Sequence, residues 1–315
     1  MNYMRNSMEI AKKEIFYQLK SKCLVIFFLI IMTIVSLHLY GLCTNVINNY
    51  HRYLQTEQMY KDNGIDIIEA LKETNYTVVD GNSSVSSNPL KEDFVTLAIS
   101  IQNLNHHNII SNTLEYFIFV FGTLMFGIYS AYVATYDYKY KTHKFFSIKY
   151  KQYEILTGKF LSIFLVLLGS LFLIGAISYF TSPLLKYFVK KSVPIEKYII
   201  PGLSYDCSLT LQILFTIALL GFYIIISYSI GFLLKSMFPI TIFLLLYTLL
   251  IPVLGKYDIK NICSFFAHKV FTFKARFVVF QPLKISPVYG IIVITLMVLF
   301  ACIILFATSK RSAYN

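Results

Sequence analysis

The feature that most constrains this chain is a series of apolar runs that are almost free of charge. A hydrocarbon core about 30 Å thick is crossed by roughly 20 residues of α-helix. Six runs approach or exceed that length, at residues 23–43, 113–135, 160–181, 209–234, 240–254 and 288–308. The fifth is the shortest and carries Pro252 near its end, so it either tilts little or breaks before the outer surface. The pattern predicts an all-α polytopic membrane protein with six transmembrane helices.

The composition agrees with this class. Apolar residues make up 57% of the chain and charged residues 14%, and a soluble fold with this balance would expose large apolar patches. The first run is too long for the core of a cleaved signal peptide, so we expect it to remain as a span. The formal net charge of +12 is explained by basic residues at the membrane faces, where they meet anionic lipid. It is not taken to predict nucleic-acid binding.

The basic residues also bear on orientation, because Lys and Arg concentrate in cytoplasmic loops. The N-terminal segment carries Arg5, Lys12, Lys13, Lys20 and Lys22. The connection at 136–159 is rich in lysine, and the tail at 309–315 holds Lys310 and Arg311. The predicted outer loop at 255–287 is equally basic, so a raw count ties. The parity of six spans then places both termini in the cytoplasm of a multi-pass cell-membrane protein, and the excess of Ile, Lys, Asn, Tyr and Phe suggests a low-GC Gram-positive bacterium.

The N-terminal segment, residues 1–22, has the spacing of an amphipathic helix. Met4, Met8, Ala11, Ile15 and Leu19 recur at steps of three and four residues, with lysines off that face. Such a helix lies flat at the inner interface. Two roles stay open, anchoring at the membrane surface and binding of a partner. The predicted interfacial anchor consists of Met8, Lys12, Lys13, Ile15 and Leu19.

The first outer loop, residues 44–112, is too long for a bare connection. We expect it to be mostly helical, with helices at 49–61, 65–73 and 90–101, a turn at 80–84 and a short strand at 76–79. The second outer loop spans 182–208, and a tight cytoplasmic turn spans 235–239. The loop at 255–287 alternates basic and aromatic residues, which favours an interfacial or re-entrant segment over a substrate gate.

Motifs of catalysis and metal binding are absent from the sequence. It has no GxxxxGK[ST] phosphate loop and no HExxH zinc motif. His106 and His107 are adjacent and so point to different helix faces, which predicts no metal site. Cys43, Cys207 and Cys263 fall near the predicted outer face, where unpaired thiols are favoured over one disulfide. We therefore expect neither an enzyme nor a cofactor bound by this chain.

The predicted span interiors contain almost no ionisable residues. The exceptions are His38, for which a packing role is favoured, and Glu115, placed at the start of the second span. Ion-coupled transporters and intramembrane proteases need such groups at depth. Their scarcity favours a membrane protein that is driven from outside.

The connection at 136–159 carries a family resemblance. Asp137 is followed by Thr142, by the apolar pair Phe145 and Phe146, and by an ending in which Ile155, Leu156, Gly158 and Lys159 lead into the third span. This order resembles the membrane subunits of type-2 ABC exporters, in which an acid, a Gly-Thr pair, an apolar run, a Pro-x-Ser-Arg segment and a Gly-Lys ending occur. The chain departs from that pattern at Lys141, Lys149, Lys151 and Gln152.

The resemblance implies a permease whose 136–159 loop docks on a separate ATPase subunit that binds ATP and magnesium. It also implies a second permease chain, identical or homologous, that completes the translocation path in the lipid membrane. The implied ATPase-coupling residues are Asp137, Lys141, Thr142, Lys144, Phe145, Phe146, Lys149, Gln152, Gly158 and Lys159. The lysines are equally explained by topology, and the two explanations can hold together.

The expected substrate is an amphipathic or antimicrobial peptide, moved for export or self-protection. The alternative is a membrane sensor or immunity scaffold that transports nothing and uses the first extracellular loop for recognition.

Overall fold

The structure is a computed structural model that describes residues 2–72, 88–140, 142, 147–200, 208–275 and 277–311. Within these ranges every regular element is helical and no strand occurs. The predicted strand at 76–79 and turn at 80–84 lie outside the described residues. The α-helices are α1 (Asn2–Lys20), α2 (Cys23–Asp62), α3 (Ile67–Lys72), α4 (Pro89–Gln102), α5 (His106–Tyr116), α6 (Thr123–Lys139), α7 (Gln152–Lys190), α8 (Leu209–Leu234), α9 (Phe238–Leu245), α10 (Ile259–Val270) and α11 (Pro287–Arg311).

Two π-helical segments extend this set. Phe117–Gly122 joins α5 to α6 without a break, and Leu246–Leu250 prolongs α9. A single 3₁₀ turn lies at Ile195–Tyr198. Among the described residues, five helices are long and apolar enough to cross a membrane: Cys23–Asp62, His106–Lys139, Gln152–Lys190, Leu209–Leu234 and Pro287–Ser309.

The sixth predicted span, 240–254, forms a shorter apolar helix at Phe238–Leu250. At 1.5 Å per residue it is about 20 Å long, less than the ~30 Å hydrocarbon core. Ile251 is already extended, with ψ 123°, because the ring of Pro252 disfavours the helical conformation in the residue before it. The chain therefore breaks before that helix is long enough to span, and the count of six spans stays a prediction.

The predicted outer loop is helical but divided differently. Its first helix, expected at 49–61, is the continuation of the first span, so that α2 runs unbroken for 40 residues. The helices expected at 65–73 and 90–101 are seen as α3 and α4. The end of α2 packs on α4, with the rings of Tyr53 and Phe94 5.9 Å apart and that of Tyr198 5.3 Å from Tyr53.

The core of the bundle is formed by α6 packing against α8. Gly231 on α8 allows this contact, because a Cβ there would lie 3.3 Å from the Cα of Ala131 on α6. By contrast, α11 leaves most of its large apolar side chains exposed, as a helix facing lipid would. At one end of the bundle, α1 crosses the adjacent ends of α6 and α7 and shapes the site described next.

Candidate functional site at the junction of α1, α6 and α7

A buried ionic cluster lies where α1, α6 and α7 meet. Lys159 on α7 places its Nζ 2.5 Å from Oδ2 of Asp137 on α6 and 3.8 Å from Oε1 of Glu14 on α1. All three side chains are almost completely buried. The same Nζ donates a hydrogen bond of 3.2 Å to the carbonyl of Val133, and it lies over the Tyr136 ring, 5.1 Å from the centroid.

Asp137 also holds the start of the loop that follows α6. The hydroxyl of Thr142 donates to Oδ1 of Asp137 at 2.7 Å, and the amide of Thr142 donates to the carbonyl of Asp137 at 3.0 Å. The structure therefore brings together Asp137, Thr142 and Lys159, which the sequence resemblance singled out. One carboxylate thus joins the beginning of this loop to Lys159 near the start of α7.

The cluster contains two acids and one lysine, so it would hold an excess negative charge if all three were ionised. Asp137 has the closer lysine contact and the Thr142 hydroxyl. Glu14 has only Lys159 at 3.8 Å, and neither of its oxygens has a hydrogen-bond partner among the described residues. Burial raises the pKa of Glu14 to about 7; the charge of Asp137 also raises it, and Lys159 opposes the rise. Glu14 therefore gains or loses its proton near neutral pH.

The start of α7 is clamped by α1. Ile10 is fully buried, and a Cβ on Gly158 would lie 2.7 Å from the Cβ of Ile10 and 2.9 Å from the carbonyl of Ser7. Only glycine fits at this crossing. The hydroxyls of Ser7 and Thr157 lie 2.9 Å apart, so polar contacts fix the register of the two helices.

Polar contacts continue along the same crossing. Asn6 donates to Oε1 of Glu154 at 3.0 Å, and Oε2 of Glu154 accepts from the amide of Lys151 at 3.0 Å. The α1 helix therefore contacts the residue that caps α7.

A second cluster lies on the exposed side of α1, around Glu9. Its Oε1 accepts from Lys13 at 2.8 Å and from the hydroxyl of Tyr150 at 2.9 Å, and Lys149 lies 3.9 Å away. Hydrogen bonds from Lys13 and Tyr150 lower the pKa of Glu9. The part of α1 from Asn6 to Glu14 is thus tied to the 136–159 connection.

The predicted anchor is only partly on the free side of α1. Met8, Lys12 and Leu19 are exposed, whereas Ile15 is half-buried and Lys13 pairs with Glu9. The face that packs on the bundle consists of Ser7, Ile10, Ala11, Glu14 and Gln18. The apolar stripe predicted from the sequence therefore shares only Ala11 with the docked face, because three of the five residues on the docked face are polar. The exposed apolar side chains of α1 remain suited to contact with lipid.

The remaining predicted coupling residues are more dispersed. Lys149 is exposed within a helical turn at 147–149, and Ile148 beside it is 84% exposed. Gln152 is the first residue of α7 and is half-buried. Lys141, Lys144, Phe145 and Phe146 lie outside the described residues.

Sequence reasoning missed Glu14 and misplaced Glu115. Glu14 is one of two acids in the basic N-terminal segment. It lies at the four-residue spacing Ile10–Glu14–Gln18, a signal that marks one helix face. Glu115 was expected at the start of a span, but the helix begins at His106 and Glu115 is fully buried within it. Its Oε2 accepts from the amide of Phe273 at 3.3 Å. The interior is therefore less free of ionisable groups than predicted.

His38 packs against an aromatic ring, and the two described cysteines near the predicted outer face are unpaired. His38 stacks on Tyr116 with ring centroids 4.3 Å apart. Cys43 and Cys263 are free thiols, and Cys207 lies outside the described residues. No group of three or more His, Cys, Asp or Glu residues that could hold a metal ion occurs where the structure is described.

The long apolar helices are compatible with an all-helical, multi-pass membrane protein. No family model, curated protein or solved structure matches the chain.

Proposed function

We propose that this chain is the permease subunit of an ATP-driven exporter of the type-2 ABC class. The observation that carries the proposal is the Asp137–Lys159 ion pair, which joins the ends of the connection between two long apolar helices. A connection that receives force from a soluble motor must move together with its spans. In this proposal the buried ion pair provides that connection, because removing one partner would leave an uncompensated buried charge at a cost of about 3–5 kcal/mol.

The exposed part of the connection supplies the docking surface. Lys149 and Ile148 project from the turn at 147–149, and α1 supports them through the contacts of Glu9 with Lys149 and Tyr150. In this proposal these side chains bind an acidic, partly apolar groove on a separate ATPase subunit. ATP and magnesium bind to that subunit. A second permease chain, identical or homologous, completes the path through the plasma membrane.

The substrate in this proposal is an amphipathic peptide, such as an antimicrobial peptide that is exported or removed for self-protection. A second candidate is a membrane sensor or immunity scaffold. It is supported by the ordered packing outside the apolar part of α2, where Arg52 pairs with Asp93 at 2.6 Å and Thr56 donates to the same carboxylate at 2.7 Å.

The test is co-expression with ABC-type ATPase chains from the same genome, followed by purification and assay of inverted membrane vesicles. The exporter proposal expects an ATPase to co-purify, and it expects ATP-dependent uptake of a fluorescent amphipathic peptide. Lys149→Glu should weaken both, while Lys256→Glu, an exposed lysine near the broken helix, should change neither. Peptide binding without an associated ATPase or ATP-dependent uptake would favour the sensor.

A further inference from the structure

A cavity of about 370 Å³ lies beside the broken helix, between α6, α8 and α10. Its wall is mostly apolar and aromatic, with Phe119, Leu219, Ile251 and Val279 among its members, and the hydroxyl-bearing residues Thr123 and Ser264 also line it. Its volume falls within the range of pockets that hold small ligands. The lining residues Val278 and Phe280 are exposed, so the cavity opens at the surface of the bundle.

Lys260 is the one charged residue among the described residues that line this cavity. Its Nζ donates to the carbonyl of Ile251 at 2.6 Å and lies 3.4 Å from that of Thr248. It also lies over the Tyr247 ring, 4.9 Å from the centroid. These contacts engage two of the three N–H bonds of the ammonium and supply no negative charge.

The Asp258 carboxylate attracts this ammonium electrostatically but does not pair with it directly. Within the described chain, Lys260 has no ion pair. The nearby Asp258 carboxylate instead accepts from the Tyr247 hydroxyl and from the amides of Leu254 and Lys260. The cavity therefore combines an apolar wall with a lysine that has no ion-pair partner among the described residues.

We propose that this cavity binds a single-chain anionic amphiphile, with its acidic headgroup at Lys260 and its alkyl chain along the apolar wall. The charge makes this cavity different from a larger one of about 580 Å³ between α5, α7 and α8, whose described lining holds no charged residue. The proposal does not rest on the exporter function, since it requires only the cavity and its lysine.

The absence of tryptophan from the chain allows a direct test, because one introduced Trp is then the only indole. We would place it at the opening with Phe280→Trp, in nanodiscs of zwitterionic lipid at about pH 8, where a carboxylate is ionised. The probe is undecanoate brominated at its chain end, since bromine quenches indole fluorescence on contact. The matched probe is the brominated alcohol of the same length. The matched protein is Phe300→Trp, on the exposed face of α11.

The expected result is saturable quenching of the Phe280→Trp protein by the brominated carboxylate, with little quenching by the alcohol and only gradual quenching of the Phe300→Trp protein. Adding Lys260→Gln should weaken the apparent affinity about tenfold, as for loss of a charge-assisted hydrogen bond. Because that change could also disturb the broken helix, Thr123→Phe provides a second variant that fills the cavity and leaves Lys260 in place. It should abolish saturable quenching.

Three results would overturn the proposal. Equal quenching by the acid and the alcohol would mean that the cavity is only apolar. No saturable quenching would mean that it does not bind such a chain. The third result uses brominated phosphatidylglycerol placed in the nanodisc. If this lipid quenches the Phe280→Trp protein more strongly than the Phe300→Trp protein, the ligand is a bilayer phospholipid.

Discussion

Lys159 Nζ lies 2.5 Å from the Asp137 carboxylate, and both side chains are buried where α6 ends and α7 begins. The pair holds the two long helices together beneath the loop that connects them. Because Lys159 also faces Glu14 at 3.8 Å, the same ammonium connects the N-terminal helix to this junction.

Lys159→Met should destabilise the protein by about 3–5 kcal/mol, because it leaves Asp137 buried without its cation. Lys151→Met is the matched control: that lysine is exposed, so its loss should change stability by less than about 1 kcal/mol. Thermal unfolding of the purified proteins in the same detergent measures the difference. Equal melting temperatures for the two variants would contradict a structural role of the pair.

Gly158→Val should displace α1 from α7, because the new side chain would occupy the position of Ile10. A Ser7→Cys/Thr157→Cys pair reports the docked state through disulfide formation, since these hydroxyls lie 2.9 Å apart. We expect the disulfide yield to fall severalfold in the Gly158→Val background. Gly175→Val is the control, since nothing lies within 4 Å of a Cβ at that site, and it should leave the yield unchanged.

Glu14 should make stability depend on pH. Its pKa is raised from 4.5 to about 7 in the folded protein. The folded state therefore binds the proton more tightly than the unfolded state does. The stability contribution is complete below about pH 4.5 and is lost as pH rises through about 7, with a total on the order of 3 kcal/mol. Glu14→Gln should flatten this part of a plot of melting temperature against pH.

Glu9→Gln is the control on the same helix, because the pKa of Glu9 is shifted in the opposite direction. Its contribution is present above its ordinary pKa and is lost on acidification. Replacing Glu9 should therefore leave the decline between about pH 4.5 and 7 in place. A decline that persists in Glu14→Gln would assign it to another group.

Asp258→Ala should lower the thermal stability of the protein by loosening the turn that follows the helix Phe238–Leu250. The Asp258 carboxylate accepts from the amide of Leu254 at 2.8 Å and from the amide of Lys260 at 3.0 Å, so it caps α10 and closes the preceding turn. Loss of such a cap costs about 0.5–2 kcal/mol. Asp258→Asn keeps an oxygen acceptor and should lose less. Comparing the thermal stability of the two variants measures this difference, and an equal loss in both would point to the charge instead of the cap.

The long apolar helices could be predicted because hydrophobic length alone determines whether a helix can cross a bilayer. Helix ends could not, since hydropathy marks where the apolar stretch ends and not where the helix ends. For this reason the polar residues from His106 onward are predicted to lie in the first outer loop, whereas they form the start of the second long helix. The continuous helix α2 is likewise predicted as a span followed by a separate helix in that loop. The break at Pro252 could be anticipated, because the cause is local.

The candidate site was predicted in part. The resemblance selected Asp137, Thr142 and Lys159, and Asp137 contacts each of the other two. Glu14 could not be found in the same way, because its burial depends on how α1 docks on another helix. A periodic pattern identifies the apolar face of an isolated helix, whereas this helix buries a largely polar face.

The unbroken length of α2 has a mechanical consequence. At 1.5 Å per residue its 40 residues extend about 60 Å, roughly twice the thickness of the hydrocarbon core. The helix contains no proline at which it would bend, so it can act as a lever. A tilt of about 10° within the bilayer would move the far end, some 30 Å beyond, by roughly 5 Å. Because Tyr53 packs on Phe94 at this far end, such a tilt would carry the contact between α2 and α4 with it.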